Sequence, residues 1–348
     1  MKIVITGCAG FIGLNFLDFW QKEHPNDKII GIDALTYASN TDELSRRIKS
    51  NGNIVFYRAD IADKDAVLKI FERESPDCVV NFAAETHVDR SIEDSSIFVK
   101  TNVLGTQVLL DASLKYGVKR FHQISTDEVY GDLPLDSSAR FNEFSPLSPS
   151  SPYSASKASA DMLALSYFKT HGLNVTISRC SNNYGKYQNN EKMIPHTAEL
   201  LLFGARAEVY GDGMNVRDWI HVSDHCRAIE KILLYGKAGE IYNVGGGAEI
   251  SNLALVLKIS TAIRKILIGE IELEESESPL SSNNIKDDIT EDFANEITDN
   301  VVFVEDRKGH DKKYSLDCSK IKNELSWMPT VNFDAGLFNT VKWIKDNF

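Results

Sequence analysis

No run of apolar residues in this 348-residue chain is long enough to span a bilayer, although 43% of its residues are hydrophobic. The opening residues, Met1-Lys2-Ile3-Val4-Ile5-Thr6-Gly7, lack the apolar core of a secretory leader and run straight into a buried-strand pattern. A soluble, cytoplasmic protein is expected. Cysteine is sparse: Cys8, Cys78, Cys180, Cys226 and Cys318 are odd in number and scattered, without the CxxC pairs of a zinc site or the density of a disulfide scaffold. That excludes a cysteine-stapled fold and fits reduced thiols. Positive charge is short as well, with 38 Lys and Arg against 50 Asp and Glu, a net of -12. Without a basic stripe, neither nucleic acid nor an anionic membrane is expected as a partner, because both need Lys and Arg against their phosphates. A small molecule carrying phosphate needs only a few placed arginines and backbone N–H groups.

The charge imbalance is local. Residues 270–306 hold thirteen acidic residues against one base, Lys286, which accounts for the whole net charge. The Glu-, Ser- and Asn-rich part, about 270–299, reads as a surface insertion or partly disordered loop, with a docking segment for a basic partner as the alternative.

Alternation of strand-like and helix-like segments dominates the first 180 residues. Apolar runs at Lys2 to Thr6, Ile29 to Asp33, Ile54 to Tyr57, Cys78 to Ala83, Phe121 to Ser125 and Val175 to Ser178 predict strands. Helices are predicted from near Phe11, Asp42, Lys64, Phe98 and Tyr153, the segment Phe98 to Tyr116 having apolar residues at helical spacing. The fold class is therefore α/β, a Rossmann-type doubly wound parallel sheet. A Pro-rich stretch from Leu133 to Pro152 interrupts it as a positioned loop. After residue 180 the alternation fails, leaving short strands at Glu208 to Tyr210, Glu240 to Val244 and Val301 to Val304. The expected division is an NAD-binding domain over 1–180 carrying the catalytic residues and a smaller, mainly substrate-binding domain over 181–348. Part of the latter is expected to cross back to the sheet.

Gly7, Gly10 and Gly13 follow the first strand and open the first helix. Small residues there let a pyrophosphate approach the helix N-terminus, beside Phe11 and Ile12. Asp33 ends the second strand twenty residues on, where a carboxylate accepts from ribose hydroxyls and repels a 2'-phosphate, favouring NAD over NADP. Asp60-Ile61 after the third strand and Ala83-Ala84 after the fourth sit where open α/β sheets bind ligands, although each pair is ordinary loop composition alone.

Tyr153 and Lys157, four apart on a predicted helix, share a face. An ammonium and a positive nicotinamide ring nearby would favour a phenolate that water does not at neutral pH, whereas two such residues by themselves are commonplace on helices. Thr126-Asp127-Glu128 should emerge at the same sheet edge, with Thr126 against a substrate hydroxyl. Adjacent carboxylates at a strand end are usually solvated or capping groups. Here they suit an elimination, in which Glu128 takes a proton from sugar C5 and a protonated Asp127 gives one to the C6 oxygen, if their pKa values are pushed apart. His221 and His225 share a helix face but have no third ligand at zinc spacing, so no metal is expected.

Several blocks occur in one order: Asp33 to Ala38, Ala83 to Ser91, Ser125 to Gly131, Tyr153 to Lys157, Arg179 to Gly185, Tyr210 to Gly213 with Arg217 to Trp219, and Asp306 to Asp311. In them the chain resembles the extended short-chain dehydrogenase/reductase superfamily and, within it, the dTDP-glucose 4,6-dehydratases, over nearly its whole length apart from the acidic insertion. The resemblance places Thr126, Asp127, Glu128, Tyr153 and Lys157 in catalytic positions. It places His87, Asn183, Lys192, Arg217, Asn252, Arg307 and His310 where substrate groups are bound. It implies NAD oxidation at C4, loss of water across C5 and C6, and return of the hydride to C6. Cys8 and Leu14 depart from the family's first loop, and Gly247 to Asn252 match its nucleotide block only loosely, so thymidine is the expected base and uridine the alternative. A 4-epimerase or decarboxylase of the same superfamily would need Tyr153 and Lys157 but not both carboxylates, and a non-catalytic NAD sensor would need neither pair. Surplus apolar residues on the helices from Phe98 and Tyr153 suggest a homodimer.

Overall fold

The computed structural model describes residues 1–269 and 300–347, so the acidic stretch 270–299 lies outside the described residues. Seven parallel strands form the main sheet. In chain order these are β1 (Lys2–Thr6), β2 (Lys28–Asp33), β3 (Ile54–Arg58), β4 (Cys78–Asn81), β5 (Arg120–Thr126), β6 (Val175–Cys180) and, past three strands of the smaller sheets, β10 (Ile241–Val244). Their spatial order is β10-β6-β5-β4-β1-β2-β3. Such strands are buried on both faces, which is why Ile3, Val4, Ile5, Val79 and Val80 run without polar alternation. Helices Phe11–Glu23 and Val222–Tyr235 pack Phe16, Leu17, Trp20, Cys226 and Ile229 on one face. Val67, Phe71, Leu109 and Ala164 from three other helices cover the second. The chain winds outward from β1 to β3 and then returns to β4 on β1's other side, which opens a crevice at the carboxyl ends of β1 and β4.

Two smaller sheets follow. β7 (Asn182–Tyr184), β9 (Val216–His221) and β11 (Ala248–Ser251) form one, in the order β11-β9-β7; β8 (Ala207–Tyr210) and β12 (Val301–Val304) form the other. The expected strand near Glu240 is β10, and it belongs to the main sheet, where Ile241 registers with Ile177 of β6. The continuous helix expected from Phe98 is instead Ser96–Phe98, a π-helical turn over Val99–Gly105, and Thr106–Lys115. Gly105 packs where a Cβ would lie 2.6 Å from Ile61 Cδ1, so this turn presses against the loop after β3. The Pro-rich segment is tied down at both ends: the amides of Leu133 and Phe141 donate to Lys313 O and Ser315 O, and that of Ser148 donates to Val129 O.

Candidate active site

The crevice is a cavity of about 370 Å³ at the carboxyl ends of the sheet. Its first wall is the turn after β1. Gly7 adopts a φ of +62°, and a Cβ there would lie 2.8 Å from Ala83 N; one on Gly13 would lie 2.2 Å from Gly7 O. Both glycines are thus needed for the turn itself. Gly10 caps helix Phe11–Glu23 with no side-chain bond, leaving that N-terminus to the cavity, which Gly10, Phe11, Ile12 and Gly13 line. This is the cradle a dinucleotide pyrophosphate fits. Asp33 lines the same wall, its carboxylate fixed by the amides of Ala9 (2.9 Å) and Leu35 (2.8 Å). Asp60, Ile61, Ala83 and Ala84 complete the side predicted for the cofactor.

Thr126, Asp127, Glu128, Tyr153 and Lys157 all face the other end of this cavity. β5 delivers Thr126, whose hydroxyl caps the short 3-10 turn Asp127–Tyr130 by accepting from Glu128 N at 3.3 Å. Helix Pro152–His171 presents Tyr153 and Lys157 from a capping box at Ser151 and Ser154. The two carboxyls differ in surroundings. Asp127 is 1% exposed, accepts from Thr126 Oγ1 at 3.2 Å through Oδ1, and has no partner for Oδ2. Burial, then Glu128 and Asp218, push its pKa well above the carboxylate range. Burial raises Glu128 as well, but Arg217, Lys192 and Arg307 oppose the rise. Lys157 donates to Ile124 O at 2.7 Å, and burial lowers its pKa. Tyr153 differs from expectation in one respect. Burial raises its hydroxyl pKa, Glu128 and Asp127 add to the rise, and the opposing influence is a hydrogen bond from Thr126 rather than Lys157. Its phenolate therefore depends on positive charge brought into the cavity.

The residues expected around the substrate divide. Asn183 and Lys192 line the cavity; His87, Arg217, Asn252, Arg307 and His310 do not. Arg217 lies over the Tyr314 ring (4.3 Å) with Nη2 on Asp311 O at 2.8 Å. Arg307 stacks on Tyr210 (4.9 Å) and pairs with Asp89 through Nη2 at 2.8 Å, while His310 Nδ1 meets Asp306 at 2.7 Å. His87 caps helix Val88–Glu93, and Asn252 starts helix Asn252–Leu267 with its amide on Asn215 O. Since Arg217, Lys192 and Arg307 all act on Glu128, they form a cationic flank beside the carboxylate pair. His225 Nδ1 lies 2.8 Å from Asn183 Oδ1, and its pKa is pulled down to about 3 by burial. Among the described residues no group of three or more His, Cys, Asp or Glu is arranged to hold a metal ion.

Sequence reasoning passed over Asn102. From the π-helical turn its side chain accepts from Glu85 N (2.9 Å) and donates to Glu85 O (3.0 Å) and Ser156 Oγ (2.8 Å), joining the cavity wall to the Tyr153 helix. It also passed over Thr6 and Asn81, whose side chains meet at 2.6 Å while Thr6 Oγ1 accepts from Ala83 N at 3.1 Å. A lone Asn inside an apolar segment was the available signal in both cases.

A dinucleotide cradle on one side of Tyr153 and a cationic flank on the other make this an extended short-chain dehydrogenase/reductase by class. The family model for GDP-mannose 4,6 dehydratase matches residues 4–340. The chain is 44% identical to dTDP-glucose 4,6-dehydratase of Haemophilus influenzae, covering 100% of this chain and 98% of the relative. Against the enzyme of that name from Mycobacterium tuberculosis the identity is 42%, covering 100% and 94%. The solved dTDP-glucose 4,6-dehydratase of Streptomyces venezuelae, with NAD bound, superposes with a TM-score of 0.86 at 41% identity, covering 100% of this chain and 98% of that one. The chain belongs to the dTDP-glucose 4,6-dehydratase family.

Proposed function

We propose that the protein converts dTDP-glucose to dTDP-4-keto-6-deoxyglucose and water, with NAD as its resident cofactor. The observation that carries this is the unequal pair Asp127 and Glu128 beside Tyr153: a carboxyl kept neutral with a free oxygen, and a second held closer to ionisation by three cations. Elimination needs one acid and one base together, and a site that separates their pKa values supplies both.

Gly7, Gly10, Phe11, Ile12, Gly13, Asp33, Asp60, Ile61, Ala83 and Ala84 would hold NAD along the first wall, with Lys157 against its nicotinamide ribose. When bound, NAD supplies a hydride acceptor for C4, a donor for C6, and the positive charge that Tyr153 needs. Tyr153 takes the C4 hydroxyl proton while Thr126 Oγ1 orients that oxygen. The C5 proton, made acidic by the neighbouring ketone, goes to Glu128. Asp127 gives its proton to the departing C6 oxygen, and Glu128 later returns its proton to C5. Lys192, Arg217 and Arg307 meet the diphosphate, guanidinium forks matching phosphate oxygens, and His87, Asn183, Asn252 and His310 bind the remaining sugar and nucleoside groups. In this reading residues 1–180 carry the cofactor and the chemistry, while 181–348 mainly hold the substrate. Thymidine as the base follows from the relatives' substrate.

A product assay across dTDP-, UDP-, CDP- and GDP-glucose tests the reaction and its base; no 4-keto-6-deoxy product from any of them would refute it. Glu128→Gln is expected to allow transient NAD reduction but to abolish water loss. An epimerase would tolerate that change. We also infer a homodimer from the apolar residues exposed where the π-helical turn and the Tyr153 helix lie side by side. Val99 (54%), Leu104 (45%) and Met162 (59%) would be covered by a second copy. A monomer mass by light scattering would remove that inference.

A further inference from the structure

The Tyr153 helix carries a third polar residue at the same spacing. Tyr153, Lys157 and Asp161 recur every four residues and so share one face of the helix. Asp161 is 0% exposed. We propose that Asp161 is the positioning residue for Lys157, a buried counter-charge that holds the lysine as an ammonium at the floor of the cavity.

Lys157 needs such a partner. Its one hydrogen bond, to Ile124 O, is to a neutral acceptor, and burial of an ammonium favours loss of its proton. The negative charge of Asp161 opposes that loss. The carboxylate is only half engaged elsewhere: Oδ2 accepts from Arg179 Nε at 2.9 Å, while Oδ1 is buried with no hydrogen-bond partner. The Arg179 guanidinium also lies over the Tyr130 ring at 4.8 Å, whose hydroxyl donates to Asn243 of β10 at 2.7 Å. Tyr153, Asp127, Glu128 and Cys180 line the cavity with Lys157, Asp161 shares its helix face, and Arg179 on β6 is bonded to Asp161. Burial keeps Tyr153 and Asp127 neutral and pushes Cys180 up to about 12. Arg179 has the wrong sign, and Glu128 already faces Arg217, Lys192 and Arg307. Asp161, on the same helix face and with Oδ1 free beside its bond to Arg179, is the anion placed to act on Lys157.

This rests on the reading of Lys157 as a working ammonium, and the test separates the two. In full-length protein with its NAD, labelled with ¹³C at lysine Cε and with the Lys157 signal assigned by Lys157→Met, the titration of Lys157 is followed directly, beside the pH profile of dehydration. Asp161→Asn is expected to lower the Lys157 pKa, and the alkaline limb of the profile, by about one pH unit or more. Arg179→Gln breaks the same ion pair but removes a like charge, so it should leave the Lys157 titration in place or move it upward. If both variants shift Lys157 alike, or Asp161→Asn leaves it unmoved, Asp161 is a purely structural partner of Arg179 and the proposal is overturned. Should Asp161→Asn not fold, Arg179→Gln against the double variant Asp161→Asn/Arg179→Gln makes the same comparison without a lone buried arginine. The titration needs no turnover, so a protein inactive on dTDP-glucose would refute the proposed reaction and leave this result standing.

Discussion

Asn102→Ala should weaken the fold by about 3 kcal/mol, and the figure follows from three bonds. The side chain is 1% exposed and makes bonds of 2.9, 3.0 and 2.8 Å to Glu85 N, Glu85 O and Ser156 Oγ. A buried hydrogen bond contributes about 1 kcal/mol net, and a partner left without water costs about 1–3 kcal/mol. Glu85 lines the cavity, so water can reach its freed groups and the lower figure applies per bond. Ser156 is buried, but its hydroxyl keeps its bond to Tyr153 O at 2.6 Å. The assay is urea unfolding by far-UV circular dichroism, with and without saturating NAD. The variant should also release NAD faster, because the lost side chain joins the wall at Glu85 to the helix of Tyr153 and Lys157. A loss below about 1 kcal/mol with unchanged NAD release would refute the assignment of this side chain as the tie between them.

Gly131 has a φ of +88°, and a Cβ there would stand 2.4 Å from Ser148 O, so Gly131→Ala should cost about 2 kcal/mol or more in thermal unfolding and displace the Pro-rich loop. An unchanged melting temperature would contradict the close approach. Asp127 has a folded pKa raised above its unfolded value of about 3.9, so its contribution is fully present below that pH and is lost as pH rises through the folded pKa. Asp127→Asn should therefore be more stable than the parent at pH 8 while losing dehydration, and equal or lower stability there would count against a neutral Asp127. The acid limb of the rate profile should follow Glu128 and the alkaline limb Asp127 or Lys157, so profiles of the Asp161 variants assign the latter.

The sheet was legible because parallel strands buried on both faces leave continuous apolar runs, as Lys2–Thr6 and Cys78–Asn81 do. β7 and β9 were not, because Asn182, Asn183, Arg217 and Asp218 break their apolar pattern. The π-helical turn was hidden for another reason: its apolar spacing mimics an α-helix, and only packing of Gly105 on Ile61 reveals the offset. That Asp127, Glu128 and Tyr153 meet at one cavity could be read from motif order. Their electrostatics could not, since the free Oδ2 of Asp127 and the pairing of Arg307 with Asp89, 218 residues apart in sequence, exist only once the chain is folded.

The place of β10 also bears on how the molecule assembles in time. The sheet starts at residue 2, yet its last strand, Ile241–Val244, seals the edge of β6 only after two-thirds of the chain has been made. Until then, a nascent chain displays the unpaired edge of a strand that is fully buried in the finished fold, Val175–Cys180, to the solvent. Contacts this distant in sequence close slowly and leave intermediates open to aggregation. A fragment ending at residue 180 would keep the glycine turn after β1 and the Tyr153 helix but retain that sticky edge permanently, so shortening the chain there is expected to yield aggregates rather than a small folded unit.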